Sequence, residues 1–222
     1  MCLFMLPYNP PPHNRLDILY QDAFLLVINK PAGVLSVPGR GPDKQDCMIS
    51  RVQASYPDAL IVHRLDMATS GILVLALDAD THRQLSRQFQ QREVSKQYIA
   101  VVTGRPTPTA GLIDKPMICD WPNRPRQIID YEQGKPAQTR YETLEYMPAS
   151  DTSRVLLSPV TGRTHQLRLH MQSIGHAILG DGLYASPAVI AAAERLLLHA
   201  SSLSFPHPAN GARIVIESAV PF

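Results

Sequence analysis

Cysteine is scarce in this chain: Cys2, Cys47 and Cys119 are the only three in 222 residues, and no two form a C-x-x-C pair. Such thiols build neither a disulfide framework nor a zinc site, so a reducing cytoplasm is the expected setting. Eight histidines include His165 and His170 but no H-E-x-x-H or comparable spacing, so no metal is expected. No cofactor motif is found, and no apolar run approaches the length of a membrane span. The apolar start Met1–Leu6 is too short for a signal peptide and lacks a basic leader. It runs into Pro10-Pro11-Pro12, so residues 1–16 read as an extended, Pro-rich arm. Charge of one sign is also lacking: 21 Lys and Arg face 19 Asp and Glu, a net +2. That balance neither names nor excludes nucleic acid, and an RNA-binding protein with so little net charge must gather its cations on one face.

Against those absences stands an ordinary globular composition, 45% hydrophobic and 18% charged, enough for one generous domain over residues 17–222. Ile18–Tyr20 and Phe24–Ile28 predict two strands about a turn at Gln21-Asp22, and Ile72–Leu77 a central one. Asp46 is the expected N-cap of a short helix reaching Ser55. Asp80 is expected to cap a polar helix to about Arg92, with Leu85 and Phe89 four apart on its buried side. Strand character recurs at Gln97–Val102, Ala137–Tyr146, Arg154–Leu157, Leu197–Phe205 and Arg213–Glu217, and His165–Ser173 reads as a short helix ended by Gly175. Short turns between successive strands favour antiparallel pairing and an α+β fold. Pro106–Pro108 is a loop candidate.

Two segments concentrate chemistry. His63-Arg64-Leu65-Asp66-Met67-Ala68-Thr69-Ser70-Gly71 sets a base, a cation, an acid and two hydroxyls in a loop between apolar runs. Two readings fit these residues alone: an active-site loop, or a turn in which Asp66 accepts hydrogen bonds from Thr69 and Ser70. In Thr161–His170, His165, Arg168 and Leu169 fall three to four apart on one helix side, which is either a solvated basic face or a source of counter-charge for a carboxylate. Leu77-Asp78-Ala79-Asp80-Thr81 invites a phosphatase reading, but His82 stands where that pattern wants Thr or Val, and helix capping explains the acids better. A glycosidase would need a second facing carboxylate, and no motif places one.

Five segments then occur in a fixed order: Asn29-Lys30-Pro31-Ala32-Gly33, His63–Gly71, Lys96-Gln97-Tyr98-Ile99-Ala100, Gly134-Lys135-Pro136-Ala137-Gln138-Thr139 and Thr161–His170. In that order they resemble the RluA family of pseudouridine synthases over nearly the whole chain from Asp17. Met67-Ala68 and Ile118-Cys119-Asp120-Trp121-Pro122-Asn123-Arg124-Pro125 look like the branch of that family acting on both 23S rRNA and tRNA. The resemblance implies the pseudouridine synthase catalytic fold, a long, mainly antiparallel mixed sheet flanked by helices and loops, here without a separate N-terminal RNA-binding domain. It implies isomerisation of uridines in structured RNA, in 23S rRNA and the tRNA anticodon stem-loop, with no cofactor and the target base flipped out of its stack. Asp66 is the implied catalytic residue, Arg168 its charge partner, Tyr98 the residue that stacks on the target base, and Arg64 the one that fills the vacated space. Implied RNA contacts are Lys30, His63, Arg124, Arg126, Lys135, Arg163 and His165, with Trp121 either stacked on an unpaired base or buried as core. A monomer with no membrane attachment is expected. The rival readings are a sister enzyme acting on other rRNA or tRNA uridines, and a non-catalytic RNA-binding or RNA-folding module.

Overall fold

The computed structural model describes residues 8–13 and 15–222. Of the expected arm, residues 1–7 and Asn14 lie outside the described residues. The described part has no helix or strand but is tied down: Tyr8 donates to the Asp46 carbonyl and accepts from the Leu35 N–H, and Arg51 donates to the Pro11 carbonyl.

The N-terminal half is built on two strands that alternate large apolar side chains to both faces. β1 (Ile18–Gln21) and β2 (Leu25–Lys30) form an antiparallel pair, and β2 continues antiparallel onto β4 (Ser70–Ala76), with the short β3 (Leu60–Ile61) beside it. Leu25, Val27, Ile72 and Val74 face one way, toward Leu85 of α2 (Ala79–Gln91). Leu26, Ile28, Leu73 and Leu75 face the other, toward Met48 and Val52 of α1 (Met48–Gln53). Period-two alternation with apolar residues on both sides is what a central strand requires.

The C-terminal half adds β5 (Ser95–Thr103), β6 (Ala110–Asp114), β9 (Gln138–Met147), β10 (Thr152–Pro159), β11 (Leu198–Pro206) and β12 (Arg213–Glu217). The order β1-β2-β4-β11-β5-β10-β9-β6 makes one sheet of ten strands, counting β3 and β12 paired to its path. A small hairpin, β7 (Met117–Cys119) and β8 (Gln127–Ile129), stands apart from it. α3 (Gln166–Ser173) covers Ala100, Val155 and Leu157 with Leu167 and Met171, while the five-residue α4 spans Pro187–Ala191.

The strand predictions at β2, β4, β5, β9, β10, β11 and β12 hold. The pairing is antiparallel except at the centre, where β4 and β11 run parallel with Ser70 opposite His199 and Gly71 opposite Ala200. Gly71 has φ +112, and a Cβ there would overlap the Ala200 carbonyl, so only glycine lets these two strands meet. Two caps are corrected. Asp78, not Asp80, caps α2, its carboxylate accepting from the Asp80 and Thr81 amides. Cys47 rather than Asp46 sits at the N-cap of α1, because Asp46 is engaged by Arg51 through two short hydrogen bonds.

Candidate active site

The Asp66 loop runs into the central strand β4, and its backbone is pinned on both sides of the aspartate. Ser36 donates to the Leu65 carbonyl at 2.8 Å and accepts from the Leu65 N–H at 3.1 Å. The Met67 carbonyl receives the Gly33 N–H at 2.8 Å and the Lys30 ammonium at 3.1 Å. Thr69 N–H donates to the Asp66 carbonyl. The turn expected of this segment therefore exists, but in the main chain. Ser70 turns away to His199 and Arg195, and the Asp66 carboxylate points into a cleft.

Arg168 reaches that carboxylate from α3, with Nη1 3.4 Å from Oδ2. The guanidinium is oriented from its other edge by Asp181, fully buried, which accepts Nε at 2.9 Å and Nη2 at 2.6 Å. A paired, two-point geometry fixes the plane of the guanidinium. Burial opposes its charge, and the Asp181 and Asp66 carboxylates more than restore it. Asp181 is held in turn by the Leu183 and Tyr184 amides. The local sequence Gly180-Asp181-Gly182 reads as a plain turn, and only the Tyr184 that follows hints at more. Sequence reasoning missed both residues.

Tyr98, on β5, lines the same cleft. Burial, and secondarily the negative charge of Asp66, push its phenol well above the ordinary value. It therefore stays protonated at neutral pH, as a platform and donor rather than a ready base. The cleft holds about 1010 Å³ and is lined by Arg64, Arg92, Lys96, Arg140, Arg163 and Arg168 against, among the described residues, a single carboxylate, Asp66. Arg92, Lys96 and Arg140 were not singled out in the sequence, because a basic residue on a strand or at a helix end carries no local mark of the groove it faces.

The structure divides the expected RNA contacts into three groups. Arg64 and Arg163 are exposed at the cleft. Trp121, 64% exposed, resolves as surface rather than core; Arg124 stacks 4.6 Å above its ring in the β7–β8 connection, while Arg126 lies over the Tyr184 ring at 5.6 Å. Lys135, also exposed, pairs through its backbone with Met117 at the base of the hairpin. Three residues are corrected. Lys30 is fully buried, and its ammonium donates to the carbonyls of Pro31, Val34 and Met67, so it ties loops together and cannot reach a phosphate. His63 stacks on Phe89 at 4.7 Å and accepts the Val74 N–H at Nε2, and burial draws it down to about 3, so it is a neutral wall of the cleft. His165 is buried, with Nε2 3.9 Å from Asp66 Oδ1 and Nδ1 2.8 Å from the Tyr184 hydroxyl.

Comparison with known proteins agrees with this geometry. The family described as RNA pseudouridylate synthase matches residues 24–173. The dual-specificity RNA pseudouridine synthase RluA of Escherichia coli (strain K12) is 55% identical over 215 residues, 97% of this chain and 98% of that protein. Its counterpart from Haemophilus influenzae is 48% identical over 98% of this chain and 99% of that protein. Among solved structures, human RNA pseudouridylate synthase domain containing 1 superposes with a TM-score of 0.79 at 30% identity, covering 96% of this chain and 87% of that one. A polar loop opening onto a cationic cleft, on a sheet shared with these proteins, identifies the chain as a member of the RNA pseudouridylate synthase family, an enzyme that isomerises uridine to pseudouridine in RNA.

Proposed function

We propose that this enzyme acts on two kinds of structured RNA, 23S rRNA and the tRNA anticodon stem-loop, in the cytoplasm and as a monomer, with residues 17–222 as one catalytic domain and Asp66 as its catalytic residue. The names of the curated relatives, dual-specificity RNA pseudouridine synthases, support the breadth of substrate. Strands from both halves joining in one sheet support a single domain. One observation carries the site: among the described residues Asp66 is the lone acid of the cleft, its loop pinned by Ser36, Lys30 and Gly33, with Arg168 as counter-charge.

The reaction breaks the bond between uracil N1 and ribose C1′, turns the ring, and joins C5 to C1′. C5 gives up a proton and N1 gains one, so the RNA keeps its composition. Asp66 attacks the sugar, adds to the ring or takes the sugar's 2′ proton, and each route uses an ionised carboxylate within reach of the flipped nucleotide. Tyr98 stacks on the target base, and Arg64, exposed beside Asp66, fills the space the base leaves. The cleft cations bind phosphates, which fix register rather than read sequence. Trp121, Arg124 and Arg126 extend the contact along the hairpin, where an exposed aromatic suits an unpaired base.

The test is incubation with unmodified tRNA and 23S rRNA fragments, with pseudouridine mapped by carbodiimide-dependent primer-extension stops. Stops on both RNAs that vanish with Asp66→Asn while RNA binding survives are expected. Stops on one RNA alone defeat dual specificity, and an active Asp66→Asn defeats the assignment of the catalytic residue.

A further inference from the structure

The ring of His165 is placed where RNA phosphates cannot use it, yet it lies between the Asp66 carboxylate and the hydroxyl of Tyr184. We propose that His165 is a positioning residue for Asp66: Tyr184, held by the backbone of β8, fixes the imidazole with its hydrogen on Nε2, and that N–H faces the Asp66 carboxylate. The inference rests on Asp66 being the catalytic residue and adds the group that orients its second oxygen.

Hydrogen counting carries the assignment. The Tyr184 hydroxyl accepts the Gln127 N–H at 2.8 Å and lies 2.8 Å from His165 Nδ1. A phenol has one hydrogen to give. If Nδ1 carried the imidazole hydrogen, it would donate to Tyr184, and the phenol's own hydrogen would have no acceptor among the described residues. A buried donor left in that state is costly. That tautomer would also turn the bare lone pair of Nε2 toward the negative Asp66 Oδ1, 3.9 Å away. With the hydrogen on Nε2 instead, Gln127 donates to Tyr184, Tyr184 donates to Nδ1, and Nε2–H points at the carboxylate, so every group is satisfied. Burial also pulls the imidazole below its ordinary range, which keeps it singly protonated.

The backbone supports the same arrangement. His165 adopts a left-handed conformation, φ 57, immediately before α3, so it sits at the turn into the helix and not along its length. The Tyr184 ring meets the imidazole edge to face at 5.7 Å and lies within 5.4 Å of the Arg168 guanidinium and 5.6 Å of that of Arg126. Tyr184 thus touches the catalytic cation on one side and the hairpin on the other. Because Gln127 belongs to β8, the relay is complete only with the hairpin seated. The 3.9 Å gap is longer than a hydrogen bond, and catalytic contacts of this kind tighten when substrate fills the site.

The experiment is a two-bond ¹H–¹⁵N correlation spectrum of the full-length protein labelled at histidine, with His165 assigned by its contacts to the Tyr184 ring, joined to steady-state kinetics on an RNA stem-loop. The wild-type spectrum is expected to show the hydrogen on Nε2. Tyr184→Phe keeps the ring but removes the hydroxyl, and is expected to move the hydrogen toward Nδ1. It should lower kcat roughly 10- to 100-fold, short of the loss on deleting a direct donor to reacting charge, and leave KM within about two-fold. His165→Gln, which keeps an N–H to offer, should retain more kcat than His165→Leu. A wild-type hydrogen on Nδ1 overturns the proposal, and this measurement needs no variant to fold. Full kcat in Tyr184→Phe with a shifted tautomer also overturns it. If Asp66→Asn is inactive in either case, the assignment of Asp66 survives; if Asp66→Asn is active, that assignment fails whatever the tautomer.

Discussion

Asp181→Asn separates the two acids around Arg168. In the native site Oδ1 of Asp181 accepts Nη2 of Arg168 and the Leu183 and Tyr184 amides, while Oδ2 accepts Nε. An asparagine that keeps its oxygen on the three donors turns its NH₂ toward Arg168 Nε–H, donor against donor. The buried guanidinium then has only Asp66, 3.4 Å away and with a quarter of its side chain exposed, as a counter-charge. Removing one partner of a buried ion pair costs about 3–5 kcal/mol. At about 2–4 °C per kcal/mol for a chain of this length, the melting temperature should fall by roughly 6–20 °C. Asp66→Asn, by contrast, removes a longer and partly solvated contact and should melt within about 3 °C of the wild type while losing activity. Calorimetry on both variants, paired with pseudouridine assays below either melting point, makes the comparison. An Asp181→Asn protein as stable as the wild type would refute the claim that Asp181 holds Arg168 in place.

Acid should unfold the enzyme early: burial, helped by Lys96, draws His63 down to about 3, and burial with Arg195 draws His199 down to about 4, so below about pH 6.5 the unfolded chain takes up protons that the fold refuses. Each histidine adds about 1.4 kcal/mol of lost stability per pH unit as pH falls toward its folded value; urea unfolding at pH 7, 5.5 and 4.5 checks this, and a flat profile would contradict it. Gly71→Ala should abolish soluble expression, because a Cβ at φ +112 collides with the Ala200 backbone at the parallel junction; recovery of normally folded protein would count against that packing. Trp121→Ala should raise KM for RNA roughly 5- to 150-fold, the worth of one stacked base, with kcat and melting temperature unchanged; a loss of stability would mean the ring is structural.

Legibility varied with the range of the interaction. β2 and β4 were readable because both faces of each are apolar, so the pattern is local and strong. The parallel junction was not, since it depends on the meeting of Gly71 with Ala200 more than a hundred residues away. The β7–β8 hairpin escaped because three-residue strands flanked by Pro116, Pro122 and Pro125 look like loop. In the site, the resemblance pairs Asp66 with Arg168, and the two side chains lie 3.4 Å apart. Lys30 was misread for a physical reason: a lysine beside Pro and Gly looks like a surface charge, and only the fold shows three carbonyls converging on its ammonium. His63 and His165 failed likewise, polar by type but committed to internal partners.

A net charge of +2 says little about RNA until the charges are sorted by place. Among the described residues, six Lys and Arg side chains line the cleft but only one acid, Asp66, does. Among the described residues, Arg64, Arg92, Lys96, Arg140 and Arg163 make no ion pair within 4 Å, whereas Asp46 and Asp80 are paired elsewhere with Arg51 and Arg83. Burial lowers the Lys96 ammonium, and the like charge of Arg92 adds to that shift. On the reading proposed above, a phosphate backbone laid along the cleft offsets this clustering of like charge. Inside the same positive field the single acid gains a second advantage. If Asp66 is the catalytic residue, the cations around it hold the phosphates along the cleft while the uncharged base and sugar meet its carboxylate.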